Sequence, residues 1–575
     1  MADSNKAAAP SPPTQETNVA APQPVSGDAA ATQEPQIDSA LKRNLVVFAL
    51  GLAILVGVLD ATIVATLVPS IADDFSSVDS AAWYGSAYLL VTGAIMPTFG
   101  KLYSAFPSKI VFLSSVAFLE IGSLICALAK NSPTFIGGRA VAGLGAAGII
   151  SGGLIITAQV TPLHQRPMYT GILGSLEGVG IVIGPIIGGH IASSIGWRWC
   201  FWINLPIGAV LCAILVFFFH PPKRTADEQQ KQDQKTWRQR ILELDLEGGL
   251  AITGSLTCLL LALEWGGTTY PWGDGRIIAL FVIFGVSLIC VGVHQRWKGE
   301  AATFPTRLLK NRTFAMYLIL GFCFAGAQFT VLYYLPMWFQ AVQGVSAAES
   351  GTRLLAMVVS VIVIAIFSGA GSSVVGYLPP FAYLATVLAS VGAGMLFTLH
   401  PGISQSKWIG YQILFGAGSG TGIQQAIVGV QVAVDHADVA YATSSVMLVN
   451  TLAGSIFIGA SQTLFLSEMT KVVERLPNLD QNTLLSGFQS IRDMLDSEDL
   501  VIAIDAYNRG VTKAFLIALV LCSVTVLTWP FVRWIPLKKK EEKSVEGGAD
   551  GKPEAVKEAK AEETTPAQSN PSTGT

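Results

Sequence analysis

The sequence predicts an all-α polytopic membrane protein of fourteen transmembrane helices, arranged as two six-helix halves with two further helices inserted between them. Three observations predict it. Hydrophobic residues make up 51% of the 575-residue chain and charged residues only 13%, about half the charged fraction of an ordinary soluble domain. The apolar residues fall in runs of about 18–25, long enough to cross a hydrocarbon core of about 30 Å as helices. Lysine and arginine collect in alternate connections between those runs, the asymmetry expected of a multi-pass chain.

In chain order the runs lie at 44–68, 83–104, 110–129, 133–158, 168–192, 200–220, 247–265, 276–294, 314–339, 351–371, 379–399, 407–428, 440–465 and 511–532. Residues 1–43 precede them as an Ala/Pro/Gln/Ser-rich segment without the apolar core of a secretory signal. This segment reads as a disordered tail, and the first run as the signal anchor. Lys42 and Arg43 stand before run 1, and Lys101 and Lys109 between runs 2 and 3. A basic linker, 221–246, follows run 6, and Arg296, Lys298, Arg307, Lys310 and Arg312 follow run 8. With fourteen spans all of these fall on one side, so both termini are predicted to be cytoplasmic. The opposite side begins with "ADDFSSVD" and includes a long acidic loop at 467–510. The glycosylation sequon at Asn311 then faces the cytosol and stays unmodified. Runs 1–6 (44–220) form one half, runs 7–8 (247–294) the inserted pair and runs 9–14 (295–535) the other half. Residues 536–575 form a second charged tail.

The halves carry a weak internal repeat. Run 4 contains "GRAVAGLGAAGIISGG" and run 12 "FGAGSGTGIQQ", while runs 1 and 9 share a late proline. Repeats of this kind mark transporters, although Gly-rich apolar helices also resemble one another by chance.

Charged side chains within spans cost about 2.5–3.5 kcal/mol each at the bilayer centre on insertion scales. Five qualify: Asp60, Glu120, Arg139, Glu177 and Glu264. Asp60 in run 1 and Arg139 in run 4 fall at similar depth, about 9–12 Å below the outer surface. They are partners or line one cavity, as a structural ion pair or as a proton-coupling site whose acid Arg139 controls. Glu177 lies mid-span in run 5, within "LEGVGIVIGPIIGGH". Helical spacing puts it on one face with Gly180, Gly184 and Gly188, a small-residue seam for a close helix approach. Pro185 bends the helix after Gly184. Glu177 has either a proton or substrate role or a bond to the next helix. Glu120 reads as a neutral acid bonded to a neighbouring helix, and Glu264 as an interfacial residue. Tyr88, Tyr334, Trp338 and Gln340 are candidates for lining a cavity for apolar or aromatic substrates, or are interface anchors and core.

No nucleophile set, P-loop or HExxH is present, so neither catalysis nor direct ATP use is expected. The seven cysteines lack metal-ligand spacing. No metal or cofactor is expected, and a formal net charge of −3 points to no nucleic-acid partner.

These stretches resemble the fungal fourteen-helix drug:proton antiporter branch of the major facilitator superfamily over about residues 40–535. "LDATIVATLVPSIADDF" is similar to its first-helix motif, with the acid at Asp60, and "GRAVAGLGAAG" to its fourth-helix motif, with the arginine at Arg139. "GVGIVIGPIIGG" is similar to its antiporter motif, carried by Gly180, Gly184, Pro185, Gly188 and Gly189. "GWRWCFWINLPIGA" and "YYLPMWFQAVQGVSAAESG" are further branch-like stretches. The loop between helices 2 and 3 departs from the family's G-x-L-x-D-R-x-G-R-K. Here it reads "GKLYSAFPSK", with Ser104 for the acid and Pro107 for the glycine, which puts the family's cytoplasmic charge latch in question. The resemblance implies a monomer in the plasma membrane exporting amphipathic drugs, toxins or secondary metabolites against protons by alternating access. Uptake, for example of a siderophore, and a non-transporting membrane sensor are the competing expectations.

Overall fold

The computed structural model describes residues 40–77, 80–220, 245–267, 270–299, 302, 306–473 and 497–537. Both predicted tails, nearly all of the basic linker and the middle of the long acidic loop lie outside them. Among the described residues fourteen long helices make up the first half, α1 (Ala40–Phe75), α2 (Ala81–Ala105), α3 (Ser108–Leu128), α4 (Ser132–Val160), α5 (Arg166–Ser194) and α6 (Asn204–Phe218); the inserted pair, α7 (Leu246–Trp265) and α8 (Gly275–Lys298); and the second half, α9 (Arg312–Gln343), α10 (Ala347–Val375), α11 (Pro379–Phe397), α12 (Gln405–Val432), α13 (Val439–Val473) and α14 (Ser497–Val524). Among the described residues thirteen have the length and hydropathy to cross a membrane, α6 being counted from Trp199, where a short helical turn leads into it. The other is α2, whose glycines, serines and tyrosines lower its hydropathy. It is held by burial against α4, α7 and α13 instead.

The boundaries follow local chemistry. Asn311, the sequon residue, caps α9 by accepting from the Thr313 and Phe314 amides and donates to Ala433 O at 2.6 Å. At the short uncharged break, α10 ends on Gly376 at φ 82°, a left-handed cap that glycine adopts without strain, and Pro379 opens α11.

The acidic loop expected at 467–510 is shorter, because α13 runs on to Val473 and α14 starts at Ser497. The charges that read as loop are helical ion pairs. Lys471 reaches Glu468 three residues back at 2.5 Å, and Arg509 reaches Asp505 four residues back. Such pairs extend a helix past the apolar zone.

Helix neighbours repeat with an offset of eight. In the first half α1 packs on α4, α5 and α6, α3 on α4 and α6, and α2 on α4. In the second, α9 packs on α12, α13 and α14, α11 on α12 and α14, and α10 on α12. The contacts between halves obey the same rule: α5 meets α10 and α12, as α13 meets α2 and α4. Runs 4 and 12, paired in the sequence by their glycines, hold equivalent places. A Cβ at Gly145 of α4 would meet Leu119 Cα of α3 at 2.8 Å, and one at Gly418 of α12 would meet Ala389 Cα of α11 at 2.6 Å. The inserted α7 and α8 pack on each other, and α7 reaches α2 and α13.

Candidate functional site

Asp60 and Arg139 form an ion pair, Arg139 Nη1 to Asp60 Oδ2 at 2.5 Å, with both side chains at 0% exposure. Packing of α1 against α4 brings them together. Arg139 Nε donates to Tyr84 O at 3.0 Å, and its guanidinium lies 4.3 Å from the centre of the Tyr88 ring. Tyr88 is itself fixed, donating to Gly57 O at 2.7 Å. The second Asp60 oxygen accepts from Asn204 Nδ2 at 3.0 Å, which also donates to Ser123 Oγ at 3.1 Å. Sequence reasoning passed over Asn204 and Ser123. The available signal was the single asparagine inside apolar "FWINLPIGA". Burying two charges is repaid only when geometry is good and further hydrogen bonds complete the pair. Asp60 meets that condition, whereas Arg139 Nη2 is buried without an acceptor. Protonating Asp60 would remove the partner of an enclosed arginine, so this network can couple a proton to a rearrangement of α1 against α4.

The structure separates Glu177 from the glycine seam. α5 packs on α1 through the ridge Leu176–Gly180–Gly184–Gly188. Leu176 meets Gly51, Gly180 meets Val58, Gly184 meets Thr62 and Gly188 meets Ile63 and Thr66. These residues step by four, one row of the helix surface. Glu177 belongs to the next row with Pro185 and Gly189, and Gly189 has open space around it. Glu177 is exposed although it stands deep within the protein. Its row lies between the α1 ridge and Gly171 and Gly178, which meet Ala365 and Ile362 of α10. Exposed Ile186 is about 180° away around the helix, marking the lipid side. Glu177 therefore looks into the space between the halves.

The aromatic candidates are packed rather than open to that space. Tyr334 is 0% exposed and donates to Gln462 Oε1 at 2.9 Å. Trp338, also 0% exposed, donates to Asn508 Oδ1 at 2.7 Å. Gln340 donates to Ser350 Oγ at 3.0 Å. All three join α9 to helices of its own half. Glu264 accepts from Ser86 Oγ at 2.5 Å, tying α7 to α2. Glu120, expected to bond to a neighbour, has two buried oxygens without a partner.

The face carrying Arg43, Lys109 and Arg307, here the basic face, is where the halves close on each other. A Cβ at Gly100 of α2 would meet Ser444 Cβ of α13 at 2.7 Å. Ser104 donates to Tyr441 Oη at 3.0 Å. Lys101 Nζ stands 5.5 Å from the Tyr441 ring and donates to Ala302 O at 3.2 Å. Ser104, in place of the family's acid, thus makes a neutral contact across the halves. On the other seam a Cβ at Gly171 would meet Ala365 O at 2.7 Å. Gln424 of α12 donates to Pro167 O and accepts from Ser368 at 3.0 Å.

The family model described as Major Facilitator Superfamily matches residues 50–459. The chain belongs to the major facilitator superfamily. Efflux pump apf11 of Gibberella fujikuroi is 79% identical over 90% of this chain and 92% of its own length. MFS-type transporter TOXA of Cochliobolus carbonum is 50% identical over 86% of this chain and 90% of its own. Among solved structures, a double-tryptophan mutant of XylE aligns with a TM-score of 0.56 at 13% identity, over 86% of this chain and 97% of that one. At that identity the likeness is one of fold. A multi-pass major facilitator protein places the Asp60–Arg139 pair and Glu177 within a transporter of small molecules.

Proposed function

We propose that this protein is a proton-coupled exporter of small amphipathic organic molecules, working by alternating access in the plasma membrane with both termini in the cytosol. The observation that carries the reading is the Asp60–Arg139 pair, wholly buried and bonded to Asn204 within one half. A proton arriving at Asp60 frees Arg139 and loosens α1 from α4. A proton leaving restores the pair. Glu177, exposed between the halves, is positioned to meet the cargo. The basic face, closed by Gly100, Ser104 and Gln424, is the cytoplasmic side, so the conformation described is sealed towards the cytosol. Export rather than uptake is supported by the α1–α5 glycine ridge and by the efflux-pump name of a relative 79% identical to this chain.

The test uses purified protein in lipid vesicles with an imposed proton gradient and ethidium as the reporter. Wild type moves ethidium against the proton flow. Asp60→Asn is expected to lose gradient-driven movement while still inserting and exchanging ethidium across the membrane without a gradient. Full gradient-driven transport by Asp60→Asn would refute the assignment.

A further inference from the structure

Glu120 is a mid-span acid that the mechanism above leaves unused. Both of its carboxyl oxygens are buried and meet no hydrogen-bond donor. A carboxylate in that position would be a desolvated charge with no compensation, whereas the neutral acid loses far less. The site is shaped to hold it. Glu120 points at α6 where that helix has Gly208, and a Cβ there would collide with the carboxyl group, reaching Glu120 Cγ at 2.9 Å.

The same two helices carry the Asp60 network one turn away. On α3, Ser123 follows Glu120 by three residues, about 4.5 Å along the axis. On α6, Asn204 precedes Gly208 by four, about 6 Å. Ser123 and Asn204 are bonded to each other, and Asn204 is bonded to Asp60. α3 runs away from the basic face and α6 towards it, so both offsets place Glu120 nearer the basic face than Asp60. The ionisable groups that face Glu120 are Asp60 from α1 and Cys212 from α6, while Arg139 of α4 and Cys126 further along α3 stand by Asp60. Asp60 is within electrostatic reach.

We propose that Glu120 is a second proton site, protonated in this conformation, that shares one proton with Asp60. The exchange conserves charge. Before it, the buried set is Arg139 cation, Asp60 carboxylate and Glu120 acid. The O–H bond on Glu120 then breaks and one forms on Asp60, leaving Arg139 cation, Asp60 acid and Glu120 carboxylate. The net charge of the buried set is the same in both states, so Asp60 can take the proton without adding charge to the protein interior. Glu120 is nearer the basic face, so the exchange also moves the proton position along the membrane normal.

This inference rests on the proton-coupled reading but is tested without transport. Infrared difference spectra are recorded on the full chain in lipid nanodiscs across a pH series. Subtracting Glu120→Gln, a nearly isosteric change, from wild type is expected to reveal a carboxylic-acid carbonyl band at neutral pH. Glu120→Asp is expected to retain that band, displaced, and serves if the Gln variant does not fold. Asp60→Asn is expected to move the pH at which the band titrates by about one unit or more, an effect that a packing role for Glu120 would not produce. Loss of a carboxylate band instead of an acid band, or a titration unmoved in Asp60→Asn, overturns the proposal. Failure of ethidium transport with these spectra intact would count against the transport reading alone.

Discussion

Asn204 is the residue on which the buried charge balance turns. It supplies the donor to the Asp60 oxygen that Arg139 does not reach, and its other contact fixes Ser123 on α3. A hydrogen bond to a charged group contributes about 1.5–3 kcal/mol. Asn204→Ala is therefore expected to lower the thermal stability of the purified protein by an amount in that range. Asn204→Asp, which sets a second carboxylate against Asp60, is expected to cost more. A melting curve unchanged in both variants would mean that Arg139 alone satisfies Asp60. The pairing of Asp60 with Arg139 was legible from depth, because two opposite charges at one level of adjacent spans rarely ignore each other. Asn204 was not, because one polar residue in an apolar run carries no depth or partner information by itself. The choice between cavity wall and core for Tyr334 and Trp338 was not legible, for a related reason. An aromatic with a polar tip suits a cavity wall and a packed helix seam equally well, and only the presence of Gln462 and Asn508 on facing helices decides between them.

At the scale of an element, α5 shows what helical periodicity resolves and what it does not. Glu177, Gly180, Gly184 and Gly188 share a broad face on a wheel, yet α1 lies along one four-residue ridge of it and leaves the adjacent ridge open. The crossing angle of two helices selects the ridge, and a single sequence holds no crossing angle. The ridge makes a sharp prediction. A side chain at Gly184 would press on Thr62, whose Cβ lies 3.0 Å from the new atom and whose hydroxyl donates to Gly180 O at 3.2 Å. Overpacking of this kind costs about 1–3 kcal/mol. Gly189, five residues before the end of α5 at Ser194, meets open space, and Ala there recovers up to about 1 kcal/mol of helix propensity. Gly184→Val is expected to lower both melting temperature and turnover, and Gly189→Ala to leave turnover unchanged. Equal effects at the two positions would refute the ridge assignment. Helix ends were legible where they rest on capping chemistry, as at Asn311 and Gly376. They were misread at 467–510, where hydropathy takes a charged helix for a loop.

Across the whole molecule, the offset-of-eight neighbour pattern makes the two seams between halves equivalent, α5 with α10 and α2 with α13. Both bring small residues into close contact at the basic face. On the α2–α13 seam the contact at Gly100 against Ser444 is the tightest to enlarge, and the neighbouring Ser104–Tyr441 bond is neutral. An enlarged side chain at Gly100 must part the seam or strain it. A penalty of about 1–3 kcal/mol applied to the closed state alone changes the ratio of closed to open molecules by about 5- to 150-fold. Complete inversion of a strongly closed population needs about 5.5 kcal/mol. Gly100→Val is therefore expected to create a second, longer population and not to replace the closed one. Spin labels at Ile110 and Leu309, exposed residues near the basic face on the two halves, read this as a distance distribution by pulsed electron resonance. Gly137→Val, where the new atoms meet open space on α4, controls for the effect of valine itself. A single unshifted distance in Gly100→Val would show that the basic face is not held shut by this seam, and the closure would have to be assigned to Gln424 and Pro167 on the other one.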